Sequence, residues 1–226
     1  MDFNLQTYQA EQVLHLSAKG ERRLMVQQNS DYRWLEIDGV VQSVMPLIEP
    51  TRLCLPHQHV IAWLLPAQAE QILELGLGGG DLTRYLQQRW PLAQHQCVEL
   101  DEEVLTLYRH YFQPPAQQNT AAITLHHADA LIFLEQSDQH YDLILLDLFS
   151  QDGNPPQLFQ ERLYQALAPR LIGPLLINLL PRTVLELNQA LQLIEQWIGP
   201  ATPYPVPGFI NVIVHVMPRD TASLDL

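Results

Sequence analysis

Five carboxylates, Glu74, Glu99, Asp101, Asp129 and Asp147, recur along the middle of the chain, each within or just beyond the end of a short apolar run. If those runs are strands of one parallel sheet, a single cleft at their carboxyl ends collects all the acids. Glu74 stands between Leu73 and Leu75, so it reads as a site carboxylate held against an apolar layer. Asp129, in HHADA, has two readings, a cap on the next helix or an acid of the cleft. Asp147 ends YDLILLD, the most apolar run, and reads either as a helix cap or as a group pointing at the reacting atoms, the carboxylate best placed to take a proton from a nucleophile.

Between the first two acids lies a glycine cluster, Gly76, Gly78, Gly79 and Gly80, in QILELGLGGGDLTRYL. The apolar run Ile72 to Leu75 precedes it, and Leu82, Tyr85 and Leu86 follow at helical spacing, giving strand, glycine turn, helix. Such a turn lets a ligand approach the backbone and presents the free N–H groups of the next helix to it. Glu99 and Asp101, roughly 20 residues further on at the end of a second strand, suit the two hydroxyls of a ribose. The pattern therefore reads as a nucleoside site.

Other chemistries are disfavoured. The turn carries no Lys-Ser or Lys-Thr for phosphates and magnesium, and Ser150 lacks the flanking glycines of a serine nucleophile. The pairs His57 and His59, and His126 and His127, lack the companion ligands that zinc requires, so no metal is expected. A cleft rich in carboxylates suits hydroxyls, amines or a sulfonium and repels pyrophosphate.

The whole chain of 226 residues carries a net charge of -13, with Lys19 its one lysine, which argues against a nucleic-acid partner. Cys54 and Cys97 are too few for a disulfide framework, no apolar run approaches a membrane span, and a cytoplasmic protein is expected.

The elements that must position these acids fall into two groups. Residues 1–48 predict a small antiparallel β unit, with strands at Gln12 to Ala18, Arg23 to Gln27, Tyr32 to Ile37 and Val40 to Val44. Asp38-Gly39 marks a tight hairpin between the last two. Residues 49–226 predict a doubly wound Rossmann-like α/β domain. A helix at His59 to Leu65 leads to the glycine strand. Strands follow at Gln96 to Leu100, Ala122 to Leu125, Tyr141 to Leu146, Leu175 to Leu179 and Phe209 to Val216. Helices are expected at Glu102 to about Tyr111, Ala130 to Glu135, Leu158 to Leu167 and Val184 to Ile198, with His126 to Asp129 as an exit loop. The apolar positions Leu35, Ile37, Val40 and Val44 need cover from the main domain or a second subunit.

ILELGLGGG resembles the first motif of class I methyltransferases, the fold that binds S-adenosylmethionine. LEIDGVVQS at 35–43, VELDEEVLTLYRHYF at 98–112, HADA at 127–130 and YDLILLDLFSQDGNPPQLFQERLYQAL at 141–167 are similar to the spermidine synthase family of polyamine aminopropyltransferases. The resemblance implies a homodimer using S-adenosylmethionine or its decarboxylated form as donor and a small-molecule acceptor. It implies that Gln42 faces the nucleoside side, with Glu99 on the ribose and Asp129 on the adenine amine, and to these the turn and its strand add Glu74, Gly76, Gly78 and Gly80 as cofactor-binding residues. Asp147 would orient or deprotonate the attacking amine. The chain departs from the family at three places. Gly79 stands where the family's turn has an aspartate, with Asp81 two residues later. Ser150 replaces a second acid, which Asp152 would supply by a loop shift, and the family's tyrosine-histidine-glutamate stretch is not recognisable in residues 49–59. Gly79 in place of an acid implies open space beside the turn, which tolerates the full amino-acid tail of S-adenosylmethionine unless Asp81 swings toward it. Methyl and aminopropyl transfer both stay open, beside a non-catalytic binding protein that keeps the fold and an NAD-dependent oxidoreductase.

Overall fold

The computed structural model describes residues 4, 8–114, 121–149 and 153–219. Ser150 and Asp152 lie outside the described residues. The first four strands, β1 (Gln12–Lys19), β2 (Arg22–Gln28), β3 (Tyr32–Ile37) and β4 (Val40–Pro46), form an antiparallel sheet in chain order. Asp38 and Gly39 both take positive φ, 51° and 80°, and Ile37 pairs with Val40 across the two-residue turn.

The larger sheet has seven strands in the order β10-β11-β9-β8-β5-β6-β7. Its parallel part is β5 (Gln71–Leu75), β6 (Gln94–Glu99), β7 (Ile123–His127), β8 (Leu143–Leu146) and β9 (Leu175–Leu179). The antiparallel strands β11 (Val212–Val216) and β10 (Ala201–Pro205) complete it. The strand order reverses beside β5, so the doubly wound α/β fold has its switch point at the glycine turn. β8 reads LILL because both of its faces are covered. Ile144 and Leu146 pack with α4 (Ala130–Gln136), α5 (Glu161–Leu167) and α6 (Val184–Trp197), while Leu143 and Leu145 pack with α1 (Pro56–Leu64) and α2 (Asp81–Arg89). The small sheet lays Leu24, Val26, Leu35, Ile37 and Met45 on α3 (Glu102–Leu107) and on Tyr108 and Phe112. Val44 packs instead with Trp34 and Leu55, and Val40 is left half exposed.

Several boundaries differ from the sequence reading for identifiable reasons. β7 runs through His126 and His127, which pair with Val98 and Glu99, so they are strand rather than exit loop. The helix after Asp101 is α3 followed by a π-helical turn, Tyr108–Phe112. The expected helix from Leu158 is a 3-10 turn, Pro156–Phe159, separated from α5 by Gln160, whose φ and ψ of -117° and 130° are extended. β10 was hidden by Pro203 and Pro205, residues without an N–H that an edge strand accommodates on its outward side. Phe209 to Asn211 are loop, and the final strand begins at Val212.

One buried ion pair fastens the two sheets around the future site. Asp81 and Arg84, 5 % and 1 % exposed, lie one turn apart at the start of α2. Asp81 Oδ1 accepts from Arg84 Nη2, and Oδ2 accepts from the Val44 amide at 2.8 Å and from Gln58 Nε2 at 3.0 Å. Arg84 also donates to the carbonyls of Pro50, Gly79 and Phe112. The carboxylate expected to be free to swing is therefore fully engaged. Removing one partner of such a pair leaves an uncompensated buried charge, so Asp81→Ala should cost about 3–5 kcal/mol in urea unfolding. An unchanged midpoint would show that the pair does not join the sheets.

Candidate active site

A cleft of about 1190 Å³ opens at the carboxyl ends of β5, β6, β8 and β9, with the β3–β4 hairpin as one wall. That is more than one drug-sized ligand needs and leaves room for two reactants side by side. Gly76, at φ 97°, begins the turn, and a Cβ there would lie 2.1 Å from the carbonyl oxygen of Asp147. Only glycine permits this approach, which sets the turn directly beside the end of β8. Gly78 also lines the cleft, and Gly80, at φ 71°, caps α2. Gly79 differs from expectation. Its amide donates to Ser43 Oγ at 2.5 Å, and a Cβ would lie 2.6 Å from Ser43 Cβ. The space presumed open beside Gly79 is filled by β4, so that inference from the missing acid is corrected.

Glu99 closes the other side of the turn. The amides of Leu77 and Asp101 donate to its two oxygens at 3.0 and 2.9 Å, and Gly78 contributes a further N–H. Burial pushes its carboxyl above the ordinary value, partly offset by these amides and by Arg22. These amides fix the carboxylate on the lining of the cleft beside the turn. Asp101 caps α3 through Oδ1 and is paired with Arg22 of β2 through Oδ2. Gln42 lines the hairpin wall, its amide nitrogen 3.4 Å from the Val40 carbonyl.

Asp129 does serve as a cap. Its Oδ1 accepts from the amides of Leu131 and Ile132, while Oδ2 faces the cleft and accepts from Gln157 Nε2 at 2.9 Å. Glu74 is 2 % exposed on the floor, where Oε2 takes the Thr83 hydroxyl at 2.6 Å and lies 3.1 Å from His95 Nε2. Its acid is turned to the interior beneath α2, which is why an acid fits between Leu73 and Leu75.

Asp147 directly follows β8 and lines the cleft. Its amide donates to the Leu75 carbonyl, and its Oδ1 accepts from Asn178 Nδ2 at 2.8 Å. Asn178, 4 % exposed in β9, accepts in turn from Asn211 Nδ2 at 3.0 Å. Oδ2 of Asp147 carries no hydrogen bond among the described residues. The nearby wall is apolar, formed by Leu148, Leu180, Phe209 and Ile210. His57, in the first turn of α1, also lines the cleft, and burial makes its imidazole harder to protonate while the charges of Asp147 and Asp81 oppose that effect. The sequence reading passed over Ser43, Asn178 and Asn211, and weighed His57 only as a metal ligand. Asn178 had a signal, as the one polar residue in LLINL.

Residues 58–202 match the family described as the spermine/spermidine synthase domain. A polyamine aminopropyltransferase of Neisseria meningitidis is 27% identical over 128 residues, 55% of this chain and 48% of that protein. An eEF1A lysine and N-terminal methyltransferase of Xenopus laevis is 25% identical over 146 residues, 57% of this chain and 21% of its own length. The chain thus spans about half or less of these curated relatives. The crystal structure of a probable spermidine synthase from Corynebacterium glutamicum superposes with a TM-score of 0.73 at 19% identity, covering 90% of this chain and 79% of that one.

The geometry predicts that methylthioadenosine binds along Gly76, Gly78, Glu99 and Asp129, and that Glu99→Gln weakens it by about 1–3 kcal/mol in calorimetry. An unchanged affinity would remove Glu99 from the site. With an ionised Glu99 as the ribose acceptor and its pKa raised by burial, wild-type affinity should fall on acidification, beginning above the ordinary carboxyl value of 4.5. Affinity that is flat across that range would exclude an ionised Glu99 as the ribose acceptor.

Proposed function

The chain belongs to the spermine/spermidine synthase domain family, and from that premise we propose that it moves an alkyl group from a sulfonium nucleoside to a small amine. Family membership supports a transferase of this superfamily. The donor in this reading is S-adenosylmethionine or its decarboxylated form, and the group is methyl or aminopropyl.

One observation carries the reading: the near contact of Gly76 with the Asp147 carbonyl, which puts a nucleoside turn and a half-free carboxylate in the same cleft. A carbon on a sulfonium is already activated, so such a site must hold a nucleophile in line and accept its proton. Glu99 would hold the ribose, Asp129 and Gln42 the remaining nucleoside edges, and Asp147, aimed by Asn178, the attacking nitrogen. Leu148, Leu180, Phe209 and Ile210 would exclude water from that nitrogen. Ser150 and Asp152 belong to the same reading by sequence alone, as groups on the acceptor side.

The family's turn acid is absent, and the two nearby acids have other work: Asp81 is held by Arg84, Val44 and Gln58, and Glu74 by Thr83. No uncommitted acid at the turn repels the carboxylate of S-adenosylmethionine. Competitive titration should therefore find S-adenosylmethionine no more than tenfold weaker than its decarboxylated form, about 1.4 kcal/mol. A preference of a hundredfold or more for the decarboxylated donor would overturn this. We also read the chain as a cytoplasmic homodimer joined through its small sheet, where Val13, Leu16 and Val40 are exposed. Light scattering that finds only monomer would remove the dimer.

A further inference from the structure

We propose that Phe209 and Ile210, at the tip of the β10–β11 hairpin, determine acceptor specificity, and that they select a primary monoamine with a hydrocarbon body over a diamine. The inference rests on the transfer reading above and deepens it by naming the substrate class. Pro207 and Gly208 fix the tip. The Phe209 amide donates to the Val206 carbonyl at 3.1 Å and Gly208 takes φ 78°, the turn that proline followed by glycine favours. The Val206 amide donates to the Asn211 carbonyl at 2.9 Å, next to the Pro205–Val212 pair, so the tip continues the hairpin. Phe209 and Ile210 are left between turn and ladder, 46 % and 52 % exposed, and both line the cleft. Two adjacent apolar side chains held out of the core on a constrained turn mark a surface shaped for contact.

The same tip is tied to the carboxylate. Asn211 Nδ2 donates to Asn178 Oδ1 at 3.0 Å, and Asn178 Nδ2 donates to Asp147 Oδ1 at 2.8 Å, so the residue after Ile210 stands two hydrogen bonds from the acid. Leu148 and Phe149 directly follow Asp147, and Leu180 lies just past β9, two residues after Asn178; all three line the cleft. A cation seated on Asp147 therefore extends its chain along an apolar wall. The other acids at the strand ends and at the start of α2 are already engaged: Asp81 by Arg84, Val44 and Gln58, Glu74 by Thr83, and Glu99, Asp101 and Asp129 by backbone amides. Each methylene laid on the wall leaves water favourably, whereas a second ammonium there would lose its hydration without a matching acid.

The test is calorimetric titration of the protein saturated with methylthioadenosine, using n-propylamine, n-hexylamine and 1,6-diaminohexane. n-Hexylamine should bind tenfold or more tighter than either of the other two. Phe209→Ala and Ile210→Ala change half-exposed side chains on a turn, and each should weaken n-hexylamine fivefold or more. A methylthioadenosine titration within twofold of wild type shows that the nucleoside end of each variant is intact. A diamine that binds as tightly as n-hexylamine overturns the inference, and so does a wild type that takes methylthioadenosine but none of the three amines. A preference for the longer monoamine that both variants leave unchanged overturns the assignment to Phe209 and Ile210. The diamine and variant outcomes leave the transfer reading standing. A wild type that binds no methylthioadenosine overturns that reading, and the inference with it.

Discussion

The Asp81–Arg84 pair is the constraint on which the rest depends. Burying two such charges costs several kcal/mol per ion unless every polar atom is matched. Here the matching donors and acceptors come from five separate segments: β4, the loop at Pro50, α1, the glycine turn and the end of the π-helical turn. The pair is satisfied only when all five are in place, so the small sheet and the nucleoside turn cannot be positioned independently. The hydrophobic contacts of Leu35 and Met45 with Tyr108 and Phe112 add area to that arrangement, while the charged network supplies its register.

Much of this was legible in the sequence. Asp38-Gly39 specified its hairpin because few dipeptides tolerate two positive φ angles in succession. The LILL run at the end of YDLILL announced a strand covered on both faces, and the glycine cluster after Ile72 to Leu75 announced the switch point. What the sequence withheld was which partner each polar group would choose. Asp81 looked free, yet its spacing to Arg84 is that of neighbours on one helix turn. Gly79 looked like an opening because nothing in the linear pattern says that Ser43 arrives from another sheet to fill it. The histidines were weighed as metal ligands, a question of spacing, whereas the place of His57 on the lining of the cleft is a product of how α1 packs over β9 and β11.

The two ends of the cleft are held by different kinds of interaction. At the nucleoside end, Glu99 gathers backbone amides, so its geometry is fixed by the turn whatever side chains surround it. At the reacting end, Asp147 is aimed by a chain of two asparagines from β9 and the loop before β11. A neutral amide orients that carboxylate without forming an ion pair with it.

The 2.1 Å approach of a would-be Gly76 side chain to the Asp147 carbonyl bears on how such a scaffold can diversify. Any sequence drift that shifts the glycine turn also displaces the carboxylate, so the two are inherited as one block. The apolar wall of Phe209 and Ile210 lies on a loop between two antiparallel strands at the far side of the sheet, outside that block. Substitutions there change the shape of the cleft without disturbing the turn. A lineage built on this frame is therefore free to reshape that wall while the glycine turn and the carboxylate stay locked together.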